Sequence, residues 1–231
     1  DVCILGYQGV NLISIGARGW LRLKITSLGQ SAHTGSSTKK GINAIHGMVK
    51  AAHAISTLNI GYEKESFFEF GSSLNISQIH GGVAINIVPD RCEAFIDIRL
   101  VPSQSKEEIV GQIRKELENV ENDNNRFKFE LEELQYEPAY LTNPKNEFVK
   151  ILRDKAEKIL SKKIPLIASG QGSVGNVVSK LEIPIINAFG VESDNIHAPN
   201  EWINLDTVPA VFDIYREALV DFASLDKNPY S

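Results

Sequence analysis

The strongest constraint in this sequence is the order in which two hydrophobic periods alternate between residues 18 and 136. Along 20–28, Leu21, Leu23 and Ile25 face one way and Arg22, Lys24 and Thr26 the other, the period-two signature of a half-buried strand. Ile42, Ile45, Val49, Ala52 and Ile55 then recur at helical spacing. Leu74 and Ile76 mark a second strand that ends at Gly81-Gly82. In a third, Ala94, Ile96, Ile98 and Leu100 alternate with Phe95, Asp97 and Arg99. Ile109, Val110, Ile113 and Leu117 predict a second helix, capped by Ser103 or Ser105. Phe127, Phe129 and Leu131 alternate with Lys128, Glu130 and Glu132 in a fourth strand. The order βαββαβ is that of a ferredoxin-like α+β domain.

The flanking segments follow another pattern. Asp1-Val2-Cys3-Ile4-Leu5 reads as the middle of a buried strand, and the sole methionine is Met48, so the expectation is a C-terminal fragment of a longer protein. Phe148, Val149, Leu152, Ala156 and Leu160 predict a helix, followed by the glycine-rich stretch Ser169-Gly170-Gln171-Gly172-Ser173-Val174-Gly175-Asn176. Ile183-Pro184-Ile185-Ile186 reads as a buried strand of a parallel sheet. A last helix carries Leu205, Val208, Val211, Phe212, Tyr215 and Leu219. These parts predict half of a layered α/β domain. The expected division is a strand segment at 1–17, an inserted α+β domain at 18–136, and the larger part of the α/β half-domain at 137–231.

Composition narrows the class. An apolar fraction of 42% and a charged fraction of 23% are those of a globular protein. A net charge of -5 argues against a nucleic-acid partner, and no apolar run has the ~18 residues needed to span a membrane. Cys3 and Cys92 make neither a disulfide framework nor a metal motif. They fit reduced thiols and a cytoplasmic location.

Few residues point to chemistry by themselves. His46 and His53 lie two helical turns apart, about 10 Å, too far for one metal. His80 ends a strand, and His33 and His197 sit in loops, where a histidine is ordinarily solvent-exposed. Glu107-Glu108 suits the first turn of a helix, and Glu132-Glu133 closes a strand. The stretch 170–175 is neither a phosphate-binding P-loop nor GxGxxG. Arg99, in mid-strand near Asp97, reads as a surface or salt-bridge residue.

Taken in order, the motifs carry more. Ile15-Gly16-Ala17-Arg18-Gly19-Trp20, Gly29-Gln30-Ser31-Ala32-His33-Thr34-Gly35 and Gly41-Ile42-Asn43-Ala44-Ile45 come first. Gly81-Gly82-Val83-Ala84-Ile85-Asn86-Ile87-Val88-Pro89-Asp90 and Ile96-Asp97-Ile98-Arg99 follow. Gly172-Ser173-Val174 and His197-Ala198-Pro199-Asn200-Glu201 close the series. Together they resemble the zinc-dependent exopeptidases and deacylases, the family of carboxypeptidase G, aminoacylase, acetylornithine deacetylase and succinyl-diaminopimelate desuccinylase. The resemblance covers essentially the whole chain. It implies an α/β catalytic half-domain with a layered sheet, into which the βαββαβ lid, or dimerisation, domain is inserted.

The resemblance also implies roles. His33 matches the lid histidine that stabilises the oxyanion in the partner subunit's site, and Asn86 a polar group near that site. Arg99 matches a binder of the substrate carboxylate, for which a guanidinium fork is suited. Gly172 and Ser173 match the loop that grips the substrate end. His197 matches a terminal ligand of one of two zinc ions; Glu201, four residues on, is of a type that can orient such a histidine. Zinc is the implied metal, with cobalt or manganese as alternatives. The other ligands and a catalytic glutamate are expected upstream of Asp1. The implied parent is a homodimeric metal-dependent amidohydrolase that cleaves an amide or peptide bond next to a free carboxylate, as a carboxypeptidase or N-acyl-amino-acid deacylase. This chain alone is expected to be inactive and to retain no metal pair. The rival reading is a non-catalytic dimerisation and binding module.

Overall fold

The computed structural model describes residues 1–7, 9–35, 40–60 and 65–225. Residues 36–39, between the motifs at 29–35 and 41–45, therefore lie outside the described residues. In chain order the elements are β1 (Cys3–Ile4), β2 (Ile13–Ala17), β3 (Gly19–Leu28), α1 (Ala44–Ser56), β4 (Ser73–Gly81), β5 (Arg91–Leu100), α2 (Lys106–Asp123) and β6 (Lys128–Glu137). They continue with β7 (Tyr140–Leu141), α3 (Glu147–Leu160), β8 (Leu166–Ser169), α4 (Val174–Val178), β9 (Ile185–Ile186), β10 (Ser193–Asp194), β11 (Trp202–Ile203) and α5 (Val208–Leu225). The chain divides into two compact units, Asp1–Arg18 with Lys64–Phe70 and Pro138–Ser231, and Gly19–Glu63 with Gly71–Glu137.

The second of these units holds the alternating strands. Its sheet has the order β4-β5-β3-β6, every neighbour antiparallel. The register Leu21↔Ile98, Leu23↔Ile96, Ile25↔Ala94 stacks the apolar residues of β3 and β5 on one face. Ala44, Met48, Ala51 and Ile55 of α1 and Ile109, Ile113 and Leu117 of α2 close over that face. Asn43 caps α1 by accepting from the Ile45 and His46 amides, at 2.9 and 3.2 Å. Of the two candidate caps for α2, Ser105 performs the role, accepting from the Glu108 amide at 3.3 Å.

Two expectations shift here. The inward stripe of α1 agrees with the expected one only in part: Ile55 is buried and Ile45 packs on the core, but Val49 is 59% exposed, and Ile42 precedes the helix and pairs with Gln30. The reason is close approach. A Cβ on Gly47 would lie 2.7 Å from Ser27 Oγ and 3.0 Å from the Phe127 ring, so the face of small residues turns inward. The fourth strand does not close at Glu132-Glu133 but runs to Glu137. A bulge there places Leu23 opposite Glu133 and Arg22 opposite Gln135.

In the other unit, β1 and β9 are parallel, with Cys3↔Ile185 and Ile4↔Ile186, as the apolar run at 183–186 predicts. β7-β2-β8 form a three-stranded sheet. Phe148, Val149, Leu152 and Ala156 of α3 share a core with Ile214 and Ala218 of α5. On α5 and the turn before it, four of the six expected positions lie outward, while Val211 is buried and Tyr215 packs on the core as expected. Phe212 is 63% and Leu219 47% exposed, and Val211, Ile214 and Ala218 are the buried residues. Leu205 lies in a short 3-10 turn before the helix and is exposed. Among the described residues no helix is long and apolar enough to cross a membrane. Cys92 is buried and Cys3 half-buried, both free.

Candidate active-site residues in the two units

In the sheet unit, the segment 32–34 pairs with 86–88. His33 and Ile87 form an antiparallel bridge, the Val88 amide donates to Ala32 O at 2.8 Å, and the Thr34 amide to Asn86 O at 3.1 Å. The structure thereby brings His33 and Asn86 together on an exposed turn. The Gly35 amide donates to His33 Nδ1 at 3.1 Å. An Nδ1 that accepts carries no proton, so the neutral ring bears its hydrogen on Nε2. That leaves Nε2–H as the ring's hydrogen-bond donor. A cavity of about 400 Å³ next to this turn is lined by His33, Lys40, His46, Arg126, Asn43 and further residues, none of them a carboxylate.

Arg99 lies elsewhere. The 86–88 turn is beyond the Arg91 end of β5, and Arg99 is at the other end of that strand. Eight residues of extended chain separate Arg91 from Arg99, about 26 Å at ~3.3 Å per residue. Arg99 Nε donates to Asp97 Oδ1 at 2.7 Å and its terminal amine to Oδ2 at 3.3 Å. Arg22 Nε also donates to Asp97 Oδ2, at 3.2 Å. Arg99 is thus held in a fork by its neighbour on the same sheet face, as the plain reading of a strand arginine expects.

In the other unit, Ser173 caps α4. Its Oγ accepts from the Gly175 amide at 2.9 Å, while Asn176 Oδ1 accepts from the Ser173 amide at 2.8 Å. This is a capping box with asparagine in the usual acidic position. The Ser173 hydroxyl donates to Asn187 Oδ1. The Tyr140 hydroxyl donates to the same oxygen at 2.8 Å, and burial pushes the Tyr140 phenol well above its usual value. Gly172 and Ser173 help line a cavity of about 620 Å³ whose walls include Ile4, Leu12, Ile167, Ser14 and Asn187.

His197 is exposed in the loop between β10 and β11, which pair antiparallel. Asn195, His197 and Asn200 all adopt left-handed backbone, with φ of 59°, 60° and 61°. Three such non-glycine residues in one loop are uncommon. Glu201 is exposed, and among the described residues no hydrogen bond joins it to His197. Nor do three or more His, Cys, Asp or Glu side chains among them converge as a metal set would require.

Sequence reasoning missed Tyr140, Asn187 and Asn176. The first two orient Ser173 from positions far away in the chain, and nothing local marks them. For Asn176 there was a signal, its place three residues after Ser173.

Comparison with known proteins agrees with this architecture. Residues 15–125 match the peptidase dimerisation domain. Over 212 residues, 91% of this chain and 55% of the relative, the chain is 26% identical to a succinyl-diaminopimelate desuccinylase of Nautilia profundicola. It is 27% identical to one from Methylobacterium radiotolerans over 95% of this chain and 56% of the relative. A tripeptidase from Staphylococcus aureus superposes with a TM-score of 0.76 at 25% identity, covering 94% of this chain and 55% of that one. A Bacillus subtilis protein described as a dinuclear metal binding peptidase from the M20 family gives 0.71 at 13% identity, over 96% of this chain and 57% of that one, and so shows the fold alone. The chain spans about 55% of the length of the curated relatives it matches. Residues 15–125 thus match the peptidase dimerisation domain, and the chain has the fold of the tripeptidase and of the M20 peptidase it superposes on.

Proposed function

We propose that the whole protein is a homodimeric amidohydrolase that cleaves an amide or peptide bond next to a free carboxylate, acting in the cytoplasm as a carboxypeptidase or N-acyl-amino-acid deacylase. The relatives named desuccinylase and tripeptidase support the reaction class. One geometric observation carries the division of labour. His33 and Asn86 lie beyond the Arg91 end of β5, and Arg99 lies about 26 Å along the strand from Arg91, more than one small substrate spans. The two ends then serve different sites, with His33 and Asn86 acting in a partner subunit.

Within that reading, His33 Nε2–H donates to the oxyanion that develops on the scissile carbonyl. Loss of such a donor costs about 3–4 kcal/mol of barrier. The Arg99 fork takes the substrate carboxylate in exchange for Asp97, and Gly172 and Ser173 hold the substrate end. His197 is the one proposed metal ligand on this chain. Zinc is the proposed ion, with cobalt or manganese as alternatives, and a dinuclear site is the form described for the B. subtilis relative. Among the described residues no three metal-ligating side chains converge, so His197 would need partners from elsewhere in the whole protein. The isolated chain is proposed to be inactive, behaving as a dimerisation and binding module.

The test mixes subunits of the whole protein, one carrying His33→Ala and the other His197→Ala. If His33 acts across the interface, a mixed dimer has one site lacking both groups and one intact. Activity on an N-acyl amino acid or tripeptide should return toward half per mixed dimer. No recovery, with subunit exchange demonstrated, refutes the assignment.

A further inference from the structure

Asn176 is fully buried, yet every polar atom of its side chain is engaged. Nδ2 donates to Arg18 O at 3.0 Å and to Pro138 O at 2.8 Å, and Oδ1 accepts from the Ser173 amide at 2.8 Å. The two carbonyls are not arbitrary. Arg18 and Pro138 are the residues of their unit at which the chain leaves for, and returns from, the sheet unit. A second tie runs beside the first: Arg18 Nε donates to Gly170 O at 2.7 Å, and the Arg18 amide to Ser169 O at 3.1 Å. Phe70, at a third crossing, lies so near Gly170 that a Cβ there would be 3.2 Å from its ring. One loop, 169–176, is thus fastened to three places where the chain passes from unit to unit.

We propose that Asn176 is a positioning residue that couples loop 170–175 to the crossings at Arg18 and Pro138. A primary amide suits this task, with two hydrogens for two carbonyls and an oxygen for the loop amide. Buried carbonyls and amides are rarely left unpaired. A change in direction of either crossing therefore disturbs the amide that also sets Ser173, and anything seated against Gly172 and Ser173 resists that change. On the proposed function, which this inference extends, substrate held by the loop and the orientation of the crossings stabilise one another.

The experiment is hydrogen–deuterium exchange on this chain and on the whole protein, comparing wild type with Asn176→Ala. The expected result is exchange raised about tenfold or more, together, in peptides covering 17–20, 136–141 and 170–176, with α3 unchanged. A rise confined to 170–176 overturns the coupling. If Asn176→Ala loosens the whole unit, Arg18→Gln decides, since it removes the side-chain tie to Gly170 and leaves Asn176 in place. Raised exchange then expected at 136–141 reports transmission through Asn176, and exchange raised only at 169–172 refutes it. In the whole protein, Asn176→Ala should raise KM several-fold more than it lowers kcat, and an equal loss in both refutes the substrate arm. A whole protein inactive on amide substrates would defeat the proposed function and leave the exchange result to judge Asn176 independently.

Discussion

Gly175 gives the most quantitative handle on the Ser173 site. An alanine Cβ at 175 would fall closer to the Tyr140 hydroxyl than atoms can approach, and 2.9 Å from Asn187 Oδ1 and 3.0 Å from Ser173 Oγ. The tyrosine ring must withdraw, and its hydroxyl then loses Asn187, now 2.8 Å away. A buried hydroxyl left unpaired costs about 1–3 kcal/mol, and forcing a methyl into packed space about 1–3 kcal/mol. The better helix propensity of alanine offsets at most about 1 kcal/mol. Gly175→Ala should therefore destabilise its unit by about 3 kcal/mol. In a Tyr140→Phe background the leading conflict is absent, and the same substitution should cost less than about 1 kcal/mol, a coupling that a double-mutant cycle measures. Urea titration followed by Trp202 fluorescence is the assay, with Trp20→Phe removing the other tryptophan. That change is mild, because the Trp20 indole N–H is buried without a partner. Equal shifts of the midpoint in the two backgrounds would refute the steric reasoning.

Two further outcomes follow from titration and burial. The Tyr215 hydroxyl donates to Phe189 O, and burial pushes its phenol up to about 12. Since the folded state binds this proton more tightly than the unfolded chain, whose tyrosines titrate near ~10, stability should fall as pH rises through ~10 to ~12. Urea midpoints at pH ~9 and ~11 should separate less in Tyr215→Phe, and an unaltered separation would count against it. Cys92 is 1% exposed and burial pushes its thiol up, whereas Cys3 is half-buried. A thiol reagent should label Cys3 first and Cys92 only on unfolding, and equal labelling rates would contradict the packing described.

The strands that could be read from the sequence were those with one wet face. Leu21, Leu23 and Ile25 alternate with Arg22 and Lys24 because the sheet has helices on one side only. β2 has no such contrast: Ile13 to Ala17 are all buried, so no alternation marks it, and β8, four residues beside a glycine-rich loop, is equally silent. Helix existence was legible, but the phase of the inward stripe was not. On α1, close packing at Gly47 favours small residues over Val49. On α5 both sides are apolar, and periodicity cannot tell which one has a partner. The candidate site divides in the same way. His33, Asn86, Ser173 and His197 stand in motifs and can be found by their order. Tyr140 and Asn187 earn their place through contacts across 47 positions of sequence, which no local pattern encodes.

Asn86 and Arg99 stand only thirteen positions apart in sequence, a spacing that invites placing them in one site. The strand between them makes that impossible within one chain, because extended chain converts sequence distance into length with no turn to recover it. β5 therefore acts as a ruler. Its rigidity comes from pairing on both sides, with β3 and β4, so the separation of its ends is not open to adjustment by a loop. The Asp97 fork adds a second constraint. With Arg99 already held by a carboxylate at 2.7 Å, a substrate carboxylate binds only by exchange, and the gain is the difference between two similar ion pairs rather than the full strength of one. Such a difference is small for partly exposed pairs, so on the proposed reading Arg99 selects for a carboxylate more than it contributes affinity. The loop at Gly172 and Ser173, proposed to hold the substrate end, has its geometry fixed by Asn176 and Asn187.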